Sequence, residues 1–307
     1  MTQHFLDPTP ATVTDVFSPA MPPVLSVQPG DTIVVRSLDA SGYLSPQQHP
    51  GDRPSTMFDQ ARGHCLTGPI EVLGAEVSMT LAVTLESLRP DDWGWTLAAA
   101  LDNPLNRRLG VVPGPPSWLL WSLDPDKGTG TNDRGVSIDL APFLGVMGLP
   151  PAEAGEHSTV PPRAAGGGNI DCRELVAGST LYLPVTVDGA MLCLGDGHAA
   201  QGDGEVGGTA IECPMTTTVT LDLVSETPVP GIHAVTPTSR ITFGFNADLN
   251  EATAEALDAM LGWMQVLFEV DKPTALALAS TALDMRVTQI ANEVWGVHAV
   301  LNDGVLR

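Results

Sequence analysis

Asp196 and His198 stand two residues apart in Gly195-Asp-Gly-His-Ala-Ala-Gln-Gly-Asp-Gly-Glu205, directly after the apolar run Met191-Leu-Cys-Leu194. On an extended backbone that spacing puts both side chains on one face. Gly202, Asp203, Gly204 and Glu205 then make a flexible turn able to fold back toward the same face. A carboxylate and an imidazole converging at a strand end suit a divalent metal with an acid or base beside it. A buried ion pair satisfied within the core is an equally good reading of the same two residues.

Three further clusters invite the same question. In Gly167-Gly-Asn-Ile-Asp-Cys172, Asp171 follows Asn169 by two; its local spacing favours an Asx-turn or strand-entry aspartate over a ligand. Glu205 and Glu212 are seven apart, so on one regular strand they face opposite ways and serve a single site only if a bulge intervenes. In Gly63-His-Cys-Leu-Thr-Gly-Pro69, His64 is a candidate ligand or proton shuttle and Thr67 a candidate hydrogen bond to substrate, against the plainer reading of an exposed turn. His298, between apolar neighbours, reads as a structural histidine, and the Trp93-Gly-Trp95 pair either walls a small pocket or caps the core. Walker, Gly-x-Ser-x-Gly, GxGxxG and His-Glu-x-x-His patterns are missing, which leaves nucleotide-binding, serine-hydrolase and zincin readings without support.

The elements that must position these residues are mostly strands. Alternating, β-branched runs occur over 32–36, 70–73, 79–85, 179–187, 189–194, 207–212 and 216–224, with 70–73 and 79–85 expected to pair as a hairpin around Gly74-Ala-Glu76. Pro184 argues for an edge or a bulge in its strand. From Asn103 to Gly168 the chain is rich in Pro and Gly, either a functional loop system or short strands. Helical spacing takes over from Asn250 to Glu269, with Asp248 and Glu251 as a capping box. A second helix is expected to start at Pro273, capped by Asp271 or Lys272, with its apolar stripe running on through Leu283, Val287 and Ile290 to Val294. The fold class is thus α+β, mainly β: a β-sandwich with an appended α+β part containing two C-terminal helices. We expect one intertwined unit over 1–307, β-rich over 1–246 and helical over 247–295.

The 307 residues carry 36 acidic against 14 basic side chains, a formal net charge of -22. Such a surface repels phosphate backbones and anionic membranes, so neither nucleic acid nor membrane is an expected partner. No basic-then-apolar leader and no apolar run of about 20 residues is present, and the four cysteines lack CxxC spacing. Reduced thiols in a cytoplasmic protein are the expectation.

Several segments in order along nearly the whole chain resemble the acetamidase/formamidase family of short-chain amide hydrolases. They are Val27-Gln-Pro-Gly-Asp-Thr32, Leu66-Thr-Gly-Pro-Ile70, Pro142-Phe-Leu-Gly-Val-Met-Gly148, Gly167-Gly-Asn-Ile-Asp171, Gly178-Ser-Thr-Leu-Tyr-Leu-Pro184, Gly195 to Glu205, Asp284-Met-Arg-Val-Thr-Gln289 and Gly296-Val-His-Ala-Val300. The resemblance implies a β-sandwich with an appended α+β part, self-association as a homo-oligomer, and hydrolysis of a small neutral amide to carboxylate and ammonia with a divalent metal. Zinc is the expected ion, with calcium and magnesium as alternatives. Carried onto this chain, it makes Asp171, Asp196 and His198 the metal ligands and Glu205 the acid/base; our own reading adds His64 as an assisting catalytic group and Thr67 and Gln201 as residues that meet substrate. Val77-Ser-Met79 departs from the family's turn after Glu76, which marks a divergent member. A repurposed metal- and ligand-binding sandwich, or a hydrolase of a different amide, is the rival reading.

Overall fold

A computed structural model describes residues 2–307. Two large sheets share one hydrophobic core, to which Val35, Leu81, Val83 and Leu221 contribute from one side and Leu144, Met147, Leu192 and Leu194 from the other. The expected mainly β, α+β class is what forms. Within the first sheet, nine strands run in the order Gln3–Leu6, Asp31–Ser37, Met215–Val224, Thr80–Pro90, Thr180–Pro184, His233–Val235, Ser239–Asn246, Trp295–Asn302, Leu283–Gln289. Period-2 burial places Met215, Thr217, Val219 and Leu221 inward and leaves the intervening threonines on the outer face. There Thr220 meets Thr32 at 3.0 Å, a cross-strand pair that suits a half-wet surface.

The second sheet carries the chemistry. Its central strand, Leu192–His198, pairs along one edge with Phe143–Gly148. Along the other edge its partner changes: Leu66–Val72 accompanies it as far as Gly195, and Glu212–Cys213 takes over from Gly197. Asp196 sits at that changeover. Phe143–Gly148 in turn pairs with Gly167–Asn169, which delivers the chain to Asp171.

Three expectations are corrected. Residues 70–73 and 79–85 do not form a hairpin: Leu66–Val72 belongs to the second sheet and Thr80–Pro90 to the first, so the turn at Gly74 crosses between layers. Apolar alternation alone cannot say which sheet a strand joins. Only Glu212–Cys213 of the run 207–212 is strand, because Gly207 and Gly208 sit in a turn. Of the two readings of the region from Asn103 to Gly168, short strands are what form, among them Ser117–Asp124 and Phe143–Gly148. Pro184 ends a central strand, two residues beyond the last pair with His233–Val235, so its missing N–H is not called upon there.

Helix Leu249–Phe268 starts at Asp248, whose carboxylate accepts from Asn250 N; the reciprocal half of the capping box is replaced by Asn246, which accepts from Asp248 N. Its apolar face packs on Val297, Ala299 and Leu301. Gly244 permits the close approach, since a Cβ there would lie 2.0 Å from Ala252 O. The second helix is shorter than its stripe implied. It spans Lys272–Ala282 with Asp271 as cap, and Leu283–Gln289 is an edge strand of the first sheet. Helical spacing of β-branched and apolar residues there masks a strand that pairs with Trp295–Asn302 over its length. No helix among the described residues is long and apolar enough to cross a membrane.

Candidate metal centre and active site

Asp171, Asp196, His198, Glu205 and Glu212 converge, each at most 7 % exposed. His198 is the hub. Its Nε2 lies 3.5 Å from Asp196 Oδ1 and 3.3 Å from Glu212 Oε2, while Asp171, His198 and Glu205 offer ligand atoms within 4.8 Å of one another. Phe143 stacks edge-on against the imidazole at 5.0 Å. On the far side of the ring, Nδ1 meets Gln201 Oε1 at 2.9 Å, and Gln201 Nε2 donates to the Asp171 carbonyl at 2.9 Å. With an amide oxygen as its partner, Nδ1 carries a proton, and Nε2 is the nitrogen that faces the carboxylates.

The backbone is bent to make this arrangement. Asp171, Asp196 and Glu205 hold φ values of 54°, 58° and 42°, a left-handed region that costs an L residue roughly 1–3 kcal/mol each. At Asp196 the twist falls where the strand changes partner. At Glu205 it falls in a turn pinned to strand Leu283–Gln289: Gly204 N donates to Thr288 O at 3.0 Å and Ile290 N to Gly204 O at 2.8 Å. Gly145 forms the floor, because a Cβ there would sit 2.4 Å from Asp196 Oδ2 and 2.8 Å from both Asp171 Oδ1 and His198 Cε1.

Four buried carboxylates around one imidazole need a counter-charge, and neither lysine nor arginine lines the cavity. Both carboxylate oxygens of Asp171, Asp196 Oδ1 and Glu212 Oε2 lack any hydrogen-bond partner. Burial pushes Asp171 well up, with Asp196 and Glu212 adding to it against the pull of His198. Burial and then Asp171 do the same to Glu205, and burial raises Glu212. Asp196 goes the other way: burial opposes its charge, but His64 and His198 hold it below the usual range. Burial works against charge on His198 too, yet Glu212 and Asp196 lift it well above its ordinary value. Orphaned oxygens, an Nε2 turned toward them and unbalanced negative charge together fit a divalent cation, for which oxygen and imidazole donors serve zinc and harder ions alike.

The cavity beside these groups measures about 90 Å³ and is lined also by His64, Asn169, Thr209 and Asn292. Thr159 Oγ1 accepts from His64 N at 2.7 Å and lies 3.2 Å from His64 Nδ1, which anchors the ring with Nε2 as its other nitrogen. Asn169 gives its amide N–H to Val160 O at 2.9 Å and keeps a buried, unpartnered Oδ1.

Six of the expected site residues are therefore together or beside one another: Asp171, Asp196, His198, Glu205, His64 and Gln201. Gln201 stands behind His198 and Asp171 rather than on the cavity wall. Thr67 stands apart, its hydroxyl donating to Arg36 O at 2.9 Å. Trp95 is not on the wall either; its Nε1 donates to Asp39 at 2.9 Å. Glu212 was expected to face away from Glu205, but the left-handed turn at 202–208 removes the strand on which that expectation rested. Asn169 and Gly145 carried one signal only, their place in glycine-containing runs of the kind that allow close backbone approach.

A family model for the Acetamidase/Formamidase family matches residues 5–157 and 152–292. The chain is 29% identical over 238 residues to a formamidase of Methylophilus methylotrophus, which covers 61% of this chain and 58% of that protein. It is 27% identical over 245 residues to an acetamidase of Mycolicibacterium smegmatis, covering 61% of this chain and 60% of that one. The chain thus spans somewhat under two thirds of these two relatives. The crystal structure of an acetamidase from Bacillus halodurans superposes with a TM-score of 0.85 at 26% identity, covering 97% of each chain. With the family model matching nearly end to end, the chain belongs to the acetamidase/formamidase family.

Proposed function

We propose that this protein hydrolyses a short-chain aliphatic amide, of the formamide or acetamide type, to carboxylate and ammonia in a metal-dependent reaction. The observation that carries the reading is the convergence of unpaired, buried carboxylate oxygens and the His198 Nε2 on a cavity small enough for such a substrate. Asp171, Asp196 and His198 would hold the metal, zinc by preference, with Glu212 close enough to join them. Bound there, the ion supplies Lewis acidity to the amide carbonyl and to water.

The chain's own groups do the rest. Glu205, raised by burial, takes the proton from the attacking water and returns it to the departing nitrogen, which leaves poorly unless protonated. Its left-handed turn, tied to Thr288 and Ile290, fixes where that proton is exchanged. His64, on the cavity wall, would donate from Nε2 to the oxyanion, and the unpartnered Asn169 Oδ1 would accept from the substrate NH₂. Four buried, unbridged thiols suit a cytoplasmic enzyme, and self-association, which light scattering tests, belongs to the same reading.

Ammonia release from formamide, acetamide and propionamide, before and after chelation with single-metal add-back, tests this. Chelator-sensitive release restored by one metal is the expected result. A folded sample that releases no ammonia with any metal would leave a ligand-binding protein or a hydrolase of another substrate.

A further inference from the structure

A second group of metal-type ligands lies outside the candidate active site. Cys172 Sγ and His298 Nε2 both approach one oxygen of Glu174, at 3.3 and 3.2 Å, and the three ligand atoms lie within 4.8 Å of one another. Cys172 and His298 are 0 % exposed. The contact is poor as a hydrogen bond: His298 Nε2 has no aligned partner despite its depth. The two separations to Glu174 suit ligands of one ion. Bonds of about 2.0–2.3 Å to a tetrahedral ion put neighbouring N, O and S donors roughly 3.3–3.6 Å apart.

The surroundings favour the same reading. His298 Nδ1 meets Thr288 Oγ1 at 2.7 Å, the outer hydrogen bond that fixes a ligating imidazole with Nε2 free. The second Glu174 oxygen is held by Arg286, which orients the carboxylate.

We propose that Cys172, Glu174 and His298 form a separate structural metal site, with zinc the class of ion that a thiolate, imidazole and carboxylate set selects. Binding releases the Cys172 thiol proton to solvent and involves no redox step. The site would join the segment following Asp171 to strand Trp295–Asn302, and through His298 and Thr288 to the turn that carries Glu205. It would hold two parts of the candidate active site at a fixed separation. Such a site does not depend on amide hydrolysis.

Cobalt(II) loading of the metal-stripped full chain tests it, because only a thiolate ligand gives an intense sulfur-to-cobalt charge-transfer band in the near ultraviolet. The wild-type protein should show the band. Cys172→Ser should lose it together with one equivalent of bound metal, and Asp196→Asn should keep it. Absence of the band in the wild type overturns the proposal. So does a band that survives Cys172→Ser, which would assign it to another thiol, or one that vanishes in Asp196→Asn, which would place the thiolate in the first centre.

Discussion

Glu205 and Asp196 are both buried carboxylates on strained backbone, yet they should respond differently to loss of charge. Glu205→Gln keeps the side chain's size and removes the proton acceptor, so kcat should fall by about 10²–10⁴-fold with metal content kept. Asp196→Asn should lose metal and activity together. Equal loss of metal in both, by elemental analysis beside kinetics, would make Glu205 a ligand. Gly145 gives a sharper test of crowding: Gly145→Ala puts a methyl 2.4 Å from Asp196 Oδ2, and should abolish metal binding while the far-ultraviolet spectrum stays native. Asp39, bonded to Trp95 and Tyr43 N, is pushed up to about 6 by burial. Its folded value lies above the unfolded one, so its favourable contribution is complete below about pH 4 and lost as pH rises through 6. Urea unfolding of Asp39→Asn should therefore gain about 3 kcal/mol relative to wild type between pH 4 and pH 7, since about two pKa units separate the states. An unchanged difference between the two proteins would mean Asp39 titrates normally.

At the scale of elements, the active-site cavity borders a second cleft of about 180 Å³. Gly208, Thr209 and Ala291 line both, and Leu97, Leu105, Val206 and Ile290 give the cleft apolar wall beside Asn103 and Asn106. An acyl chain longer than acetyl would have to pass Ala291 to reach it. Ala291→Phe should therefore reduce kcat/KM for butyramide at least tenfold more than for formamide, read from a graded acyl series. A uniform loss would show that the cleft takes no part. Strands with strict alternation, such as Asp31–Ser37 and Met215–Val224, were legible in the sequence, as were Asp248 and Asp271 at the helix starts. Legible too was the group Asp171, Asp196, His198 and Glu205, the first and last of these chiefly through resemblance. What could not be read was decided by contacts distant in sequence. The stripe over 283–294 has helical spacing, but pairing with Trp295–Asn302 makes part of it strand. Glu212 faces the site because Glu205 sits in a left-handed turn, and no local pattern announces a positive φ at a glutamate. Thr67 looked available for substrate until the Arg36 carbonyl took its hydroxyl.

Across the whole molecule, negative charge sets the response to salt. With 36 acidic and 14 basic residues, the folded state holds a net -22 in a smaller volume than the unfolded chain, so self-repulsion opposes folding. Screening lengths shrink from about 30 Å at 0.01 M salt to about 8 Å at 0.15 M, while close pairs such as Arg62 with Asp15, at 2.7 Å, are screened less. Raising NaCl over that range should therefore raise Tm, and a constant or falling Tm would mean that ion pairs outweigh repulsion. The same field acts on the reaction. A neutral amide feels none of it, so its KM should be flat across the salt series. A carboxylate product is repelled, so its inhibition should strengthen as salt screens the surface. If amide KM and product inhibition shifted in parallel instead, salt would be acting on the site itself and the acidic surface would have no part in product release.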